Sequence, residues 1–414
     1  MAAILCLRSL FYLIWKIFSF CFFCLDVVLD VLAVHKLYRE QDYVTMWVLI
    51  FLLVASSVLV QVFSWLWYDY SPEEQADTGS LTNHVYLYLY VKNRRLLGVY
   101  HVFQMGVIVR YAGVLEIAVR NLTRRPPLKG GIAGDLRHDL SLVRLFESFT
   151  ENTPQLLLTL TILARREVVD WIIGPKALLS FISIAFNVLT YHRNMRSVNK
   201  NKSQLGCFSS LVYFLWNLFL LISRVAALAL CAYVLPFGML AMGLHFLFLW
   251  PMLLFGVWRL KTNFMEHPGK EWLYRATIAL IWYFNWFSPC NSRSTKRHVI
   301  YHSFIAVDVA LLMLLWWYLR DSTESFLGEV PAWVVCVAVA VLYSLGIMVK
   351  VLYYRLFHPE HSDSDKSGYD ERAPANLNVI EMESSSGTDE SDSTPPQPTG
   401  AQRRRQKMAA NFYS

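Results

Sequence analysis

Arg144-Leu-Phe-Glu-Ser-Phe-Thr-Glu-Asn-Thr-Pro-Gln155 runs without a break into the apolar stretch Leu156 to Leu163. On a helix Arg144, Glu147 and Glu151 stand at i, i+3 and i+7, so the three charges share one stripe, while Leu145, Phe146, Phe149 and Leu156 form another. Such a helix cannot present its charged stripe to lipid tails, because a charge at the bilayer centre costs about 2.5–3.5 kcal/mol even on the lenient insertion scale. The stripe must face partner charges or water. Pro154 has no N–H and crowds the Thr150 carbonyl, which predicts a kink, and Gln155 lies next to the freed acceptor. The rest of the chain is expected to supply partners for this stripe.

Working outward, 55% of the 414 residues are apolar and 17% charged, whereas soluble domains hold about 45–50% and 25%. The excess falls in blocks of bilayer-spanning length, which predicts an all-α polytopic membrane protein. Ten such segments lie at 10–32, 44–68, 96–119, 140–163, 168–192, 207–235, 239–258, 272–287, 299–319 and 331–356. Phe11 to Leu32 lacks a small-residue cleavage site and reads as a retained helix rather than a signal peptide. Lys and Arg gather on the cytoplasmic side of short loops, and basic clusters flank both 96–119 and 272–287. Those two segments are therefore expected to be re-entrant hairpins, and the other eight to be transmembrane helices. Arg165-Arg166 falls on the outer side in this scheme, offset by Glu167 and Asp170.

The resulting order repeats. Residues 1–192 form a first membrane repeat, 193–206 a basic cytoplasmic linker, and 207–358 a second repeat of the same orientation. Both termini fall in the cytoplasm. The sequons at Asn121 and Asn201 lie in loops assigned to the cytosol, and neither is expected to carry glycan. Residues 359–414 read as a disordered regulatory tail. Glu360 to Asp392 holds ten acidic and two basic residues among Ser, Gly and Pro, and the sign then reverses at Arg403, Arg404, Arg405 and Lys407, followed by Phe412.

Ionisable residues stand inside several segments: Asp26 and Asp30 at i, i+4 in the first, Arg110 and Glu116 in the first hairpin, Arg224 in 207–235 and Asp308 in 299–319. They can pair as buried salt bridges that hold helices together, or line a polar route across the bilayer. The number of groups at several depths favours a route. Phe63-Ser-Trp65-Leu-Trp67-Tyr68 and Trp316-Trp317-Tyr318 read mainly as interface anchors. The seven cysteines suggest no disulfide framework, and Cys21-x-x-Cys24 is expected to pack rather than bind metal. His101, His245 and His302 look isolated, so no metal or cofactor is expected. No nucleophile elbow, zinc signature or phosphate-binding glycine loop marks an enzyme.

In the tail, Asp389-Glu-Ser-Asp392 before Ser393 carries acid at the first and fourth positions, as executioner-caspase sites do. Cleavage there would release the basic and aromatic end of the chain. Such a patch suits anionic lipid or acidic groups of a cytoplasmic cavity.

Taken together, the opening motif, Asp26 and Asp30, Phe63-Ser-Trp-Leu-Trp, Tyr213-Phe-Leu-Trp-Asn, Glu271-Trp-Leu-Tyr-Arg275 and Tyr353-Tyr-x-x-Phe-His-Pro359 closely resemble the XK-related family over about residues 10–360. The resemblance implies eight spans with two re-entrant hairpins and phospholipid scrambling, released by caspase cleavage of the tail, that exposes phosphatidylserine on apoptotic cells at the plasma membrane. It further implies that Asp26, Asp30, Glu147, Glu151, Arg224 and Asp308 line the lipid route, with Arg144 beside them in the motif. A single-span immunoglobulin-like subunit of the basigin or neuroplastin type is the implied partner; nucleic acid is not. One departure is Thr190 before Tyr191, where the family pattern calls for an acid. The same buried charges would also suit a secondary transporter of a small solute, or a structural subunit of a membrane complex.

Overall fold

The structure is a computed structural model, and it describes residues 2–67, 94–123, 131–165, 173–198, 205–262 except 236, 264–287 except 266, 295–320 and 330–357. All regular structure among them is helical: α1 (Ala2–Arg39), α2 (Tyr43–Leu66), α3 (Arg94–Val102), α4 (Gly106–Thr123), α5 (Gly131–Glu147), α6 (Thr153–Arg165), α7 (Ile173–Val198), α8 (Cys207–Val234), α9 (Gly238–Trp258), α10 (Pro268–Phe284), α11 (Thr295–Leu319) and α12 (Ala332–Leu352). Six stretches are long and apolar enough to cross a membrane: Lys16–Arg39, Tyr43–Leu66, Cys207–Val234, Gly238–Trp258, Lys296–Leu319 and Ala332–Arg355. Phe51 and Phe248, each more than two-thirds exposed, belong to the apolar band these helices present outward. The protein is thus an all-α, multi-pass membrane protein.

The axis of the fold is α8, against which α12, α6, α7, α11 and α9 all pack. Two-thirds of its most apolar window is buried by protein, whereas for α1 the figure is 6%. A helix apolar all round must be covered on every side, by protein or by lipid. Here α8 takes protein and α1 faces outward. One core cluster runs from Phe63 and Phe146 through Val225 and Leu228 to Trp316, so the regions before and after residues 193–206 share their interior.

Three sequence expectations are reshaped. The segment 140–163 is interrupted: α5 ends at Glu147, a single wide turn of π type spans Ser148–Asn152, and α6 begins at Thr153. The backbone N–H of Thr153 reaches back five residues to the Ser148 carbonyl. The kink expected from Pro154 is therefore a π bulge ahead of the proline, one of the recognised causes of a bent helix. The segment 96–119 folds as two helices joined at Phe103–Met105, with Gln104 in the left-handed region (φ 62°). Gly106 opens α4 there because a Cβ would stand 2.4 Å from Gln61 Oε1, which accepts its N–H. The segment 272–287, by contrast, is the one helix α10 followed by extended Asn285.

Trp67 and Trp316 lie in the core rather than at an interface, while Trp317 and Tyr318 are exposed. Cys21 and Cys24 do not pack inside the protein either; both are exposed on α1. The caspase motif Asp389, Asp392 and Ser393 and the basic end Arg403, Arg404, Arg405, Lys407 and Phe412 lie outside the described residues, as does Asn201.

Candidate functional site: two charged clusters inside the bundle

The π bulge is where the first cluster forms. A π turn rotates the side chains that follow it relative to those that precede it, and here Arg144 before it and Gln155 beyond it both lie towards α1. Glu147 binds Arg144, three residues before it. Arg144 also lies over the Phe23 ring of α1, at 5.3 Å from its centroid. Gln155, expected beside the Thr150 carbonyl freed by the proline, donates instead to Asp30 of α1, and Asn152 lies close to Asp26. The Ser56 hydroxyl of α2 meets Thr150, next to Glu151 in the chain, at 2.7 Å. Asn187 of α7 closes the ring by donating to the Ser148 hydroxyl, 2.7 Å away. Asp26, Asp30, Arg144, Glu147 and Glu151 are thus gathered in one place by α1, α5 and the π turn, with α2, α6 and α7 bonded round them.

The second cluster rests on α10. Its N-terminus is fixed by Glu271, a buried carboxylate that accepts from the backbone N–H groups of Phe264 and Met265 and from the Thr262 hydroxyl. These bonds anchor the loop entering α10. At the other end Asn285 turns away into extended backbone and donates to Asn217 of α8 at 3.0 Å. This fixes the Tyr283 carbonyl, which accepts from Arg224 Nε at 3.0 Å. Arg224 also binds Asp308 of α11. His245 of α9 completes the group, with Nδ1 2.8 Å from the Tyr283 hydroxyl and Nε2 3.1 Å from the other Asp308 oxygen.

Not every charge joins these clusters. Arg110 donates to the Ser64 hydroxyl and carbonyl and pairs with Asp139 at 3.1 Å, which locks α4 to α2 and α5. Glu116 pairs with Arg120 on its own helix at 2.9 Å. Both serve packing. His245 was missed from the sequence because its partners lie 38 and 63 residues away. His101 is likewise bonded, to Ser64, and is not isolated.

Both clusters are incompletely satisfied. Glu147 Oε2, Asn152 Oδ1 and Arg224 Nη2 are buried with no hydrogen-bond partner among the described residues. A buried polar atom left unpaired costs about 1–3 kcal/mol, and more when the group is charged. These atoms are therefore positioned to bind polar groups that enter from elsewhere. No group of three His, Cys, Asp or Glu side chains able to hold a metal occurs among the described residues.

A polytopic helical membrane protein with ionisable side chains drawn into clusters inside its bundle is the class this architecture defines. The profile of the family described as XK-related protein matches residues 14–359, and the chain belongs to that family. It is similar to XK-related protein 8 of Tetraodon nigroviridis, 39% identical over 340 residues (81% of each chain). The protein of the same name from Gasterosteus aculeatus is 38% identical over 351 residues (84% of each), and that from Pan troglodytes 34% over 343 residues (81% of each).

Proposed function

We propose that this chain is a phospholipid scramblase of the plasma membrane, held closed by its C-terminal tail and activated when an executioner caspase cuts after Asp392, so that phosphatidylserine is exposed on dying cells. The observation that carries the reading is the set of unpaired polar atoms in both clusters. A headgroup crossing hydrocarbon loses its hydrogen bonds to water. Carboxylates and guanidinium N–H groups in the bundle can replace them while the acyl chains stay in lipid. No covalent step is needed, so the chain is not an enzyme in this account and requires no cofactor.

The orientation belongs to the same proposal. Eight segments cross, 96–119 and 272–287 dip in and return, 1–192 and 207–358 form two parallel repeats, and both termini lie in the cytoplasm. The outward apolar residues of α1 and α9 suit a single-span immunoglobulin-like partner of the basigin or neuroplastin type.

In cells lacking their own scramblase, annexin binding after caspase activation should appear with the wild-type chain and vanish with Asp392→Ala. Exposure with both would remove the cleavage site from the account. Exposure with neither, at normal surface abundance, would favour a solute transporter or a structural subunit.

A further inference from the structure

Lys350 stands in the last turn of α12, ahead of the π turn Tyr353–Phe357, and only 5% of it is exposed. Its Nζ lies 2.7 Å from His302 Nε2 and 3.2 Å from His298 Nδ1, both on the first turns of α11. The faces of two indoles cover it, Trp216 of α8 at 4.7 Å and Trp286 at 5.7 Å from the ring centroids. No carboxylate pairs with this ammonium among the described residues. The site was not legible in the sequence, where His302 reads as isolated.

With Lys350 as an ammonium, its hydrogen bonds set the histidine tautomers. An ammonium group has three donors and no lone pair, so both imidazole nitrogens it touches must be acceptors. Their protons then sit on His298 Nε2 and His302 Nδ1, and neither atom has a hydrogen-bond partner among the described residues. The indole N–H groups of Trp216 and Trp286 are buried and unbonded as well. A buried ammonium with no carboxylate partner, bonded to two imidazoles and covered by two indoles whose N–H groups are unbonded, offers the kinds of donor an anion site uses.

The position selects the anion. His298 lies in the first turn of α11 and Lys350 in the last turn of α12, so the site stands where two helices of membrane-spanning length begin and end. α11 and α12 both pack on α8 but meet each other only locally, where the Tyr343 hydroxyl donates to the His302 carbonyl and Lys350 bonds His298 and His302. Lys296 and Arg297 are exposed beside His298, and Val299, Ile300, Val351 and Leu352 present apolar surface next to the site. Exposed cations above and hydrocarbon-facing residues alongside match a group that is anionic at one end and apolar at the other.

We propose that Lys350, His298 and His302 form a binding site for the phosphate of an anionic phospholipid in the leaflet at the C-terminal end of the last helix. The site is separate from both charged clusters and stands on its own geometry whether or not the chain scrambles lipid. In the proposed orientation that leaflet is the cytosolic one. A lipid held there would span α11 and α12 directly before the tail begins.

Native mass spectrometry of the full chain, released from phosphatidylcholine nanodiscs doped with phosphatidic acid, tests this. The wild type should retain phosphatidic acid in preference to phosphatidylcholine. Lys350→Met, which keeps the stem between the indoles, should weaken retention by about tenfold, the loss expected of a charge-assisted hydrogen bond. His298→Leu, which keeps an apolar contact with Trp286 and whose folding is checked by its thermal melt, should weaken it by about threefold. Equal retention of both lipids, or retention of phosphatidic acid unaltered in His298→Leu, would overturn the proposal. Displacement of the lipid by inorganic phosphate at matched concentration would assign the site to soluble phosphate and overturn the lipid assignment. Scrambling rate does not enter this readout, so failure of the lipid site and failure of the proposed function are separable.

Discussion

The two charged clusters are built on different balances. Around the π bulge four carboxylates, Asp26, Asp30, Glu147 and Glu151, face one close guanidinium, Arg144, with Lys176 farther off. Between α8, α9 and α11 a single carboxylate, Asp308, is held by Arg224 on one oxygen and His245 on the other. The first cluster has acid to spare and the second has an N–H to spare. A zwitterionic headgroup carries an ammonium and a phosphate, and the two clusters offer one partner for each. The difference also separates the roles of binding and support. Asp308 and Arg224 close against each other and tie α8 to α11, so that pair supports the fold, whereas the surplus carboxylates repel one another and add little to it.

This contrast can be broken most directly at Arg224. Arg224→Ala leaves Asp308 buried beside His245 alone, and loss of one partner from a buried pair costs about 3–5 kcal/mol. A sharp fall in thermal stability, read by fluorescence-detected size exclusion, is expected. An Arg224→Ala protein as stable as the wild type would remove the distinction between the clusters. Glu151→Gln in the acid-rich cluster should do the opposite. Stability should hold or rise, because a like charge is removed, while lipid flip rate should fall by about tenfold or more if the carboxylate binds the headgroup ammonium. Normal flipping would sink the assignment of that cluster to the lipid route.

Gly346→Ala sharpens the contrast from outside both clusters. A Cβ on Gly346 would stand 2.8 Å from Leu220 of α8, so α12 must shift away from the central helix. Overpacking of this kind costs about 1–3 kcal/mol, and it should disturb the α8 side of the bundle while leaving cross-linking between α1 and the π bulge unchanged. The smallest effect is expected for His245→Gln. An amide can replace one of the two imidazole hydrogen bonds but not both, so about 1 kcal/mol of stability should be lost, with folding intact in a thermal melt.

Much of the first cluster was legible in the sequence, and little of the second. Asp26 with Asp30, and Arg144 with Glu147 and Glu151, sit within one or two turns of each other, so helical periodicity alone places them on shared faces. The sequence places Gln155 beside the carbonyl freed by the proline, but its partner is Asp30 on α1, which no local rule gives. The π bulge was not legible, because the pattern shows only that the helix is disturbed and not that it widens. Arg224 and Asp308 were visible as intramembrane charges, but 84 residues separate them, and no local rule pairs residues at that distance. His245 and Lys350 were missed on the same ground. A lone histidine in an apolar run carries no signal, and a lysine at the end of a span reads as a topology marker. For Arg110 and Glu116 the sequence leaves pairing and route open, and the structure shows Arg110 bonded to Ser64 and Asp139 and Glu116 bonded to Arg120.

The central claim is that surplus carboxylates at the π bulge carry lipid headgroups through the bundle. The direct measurement is the flip rate of a fluorescent phospholipid in liposomes reconstituted with the purified chain, with a reducing quencher reporting accessibility of the outer leaflet. After caspase treatment the wild-type chain should flip lipid, and the equally folded Glu151→Gln chain should be at least about tenfold slower. Equal rates in the two proteins would contradict the account.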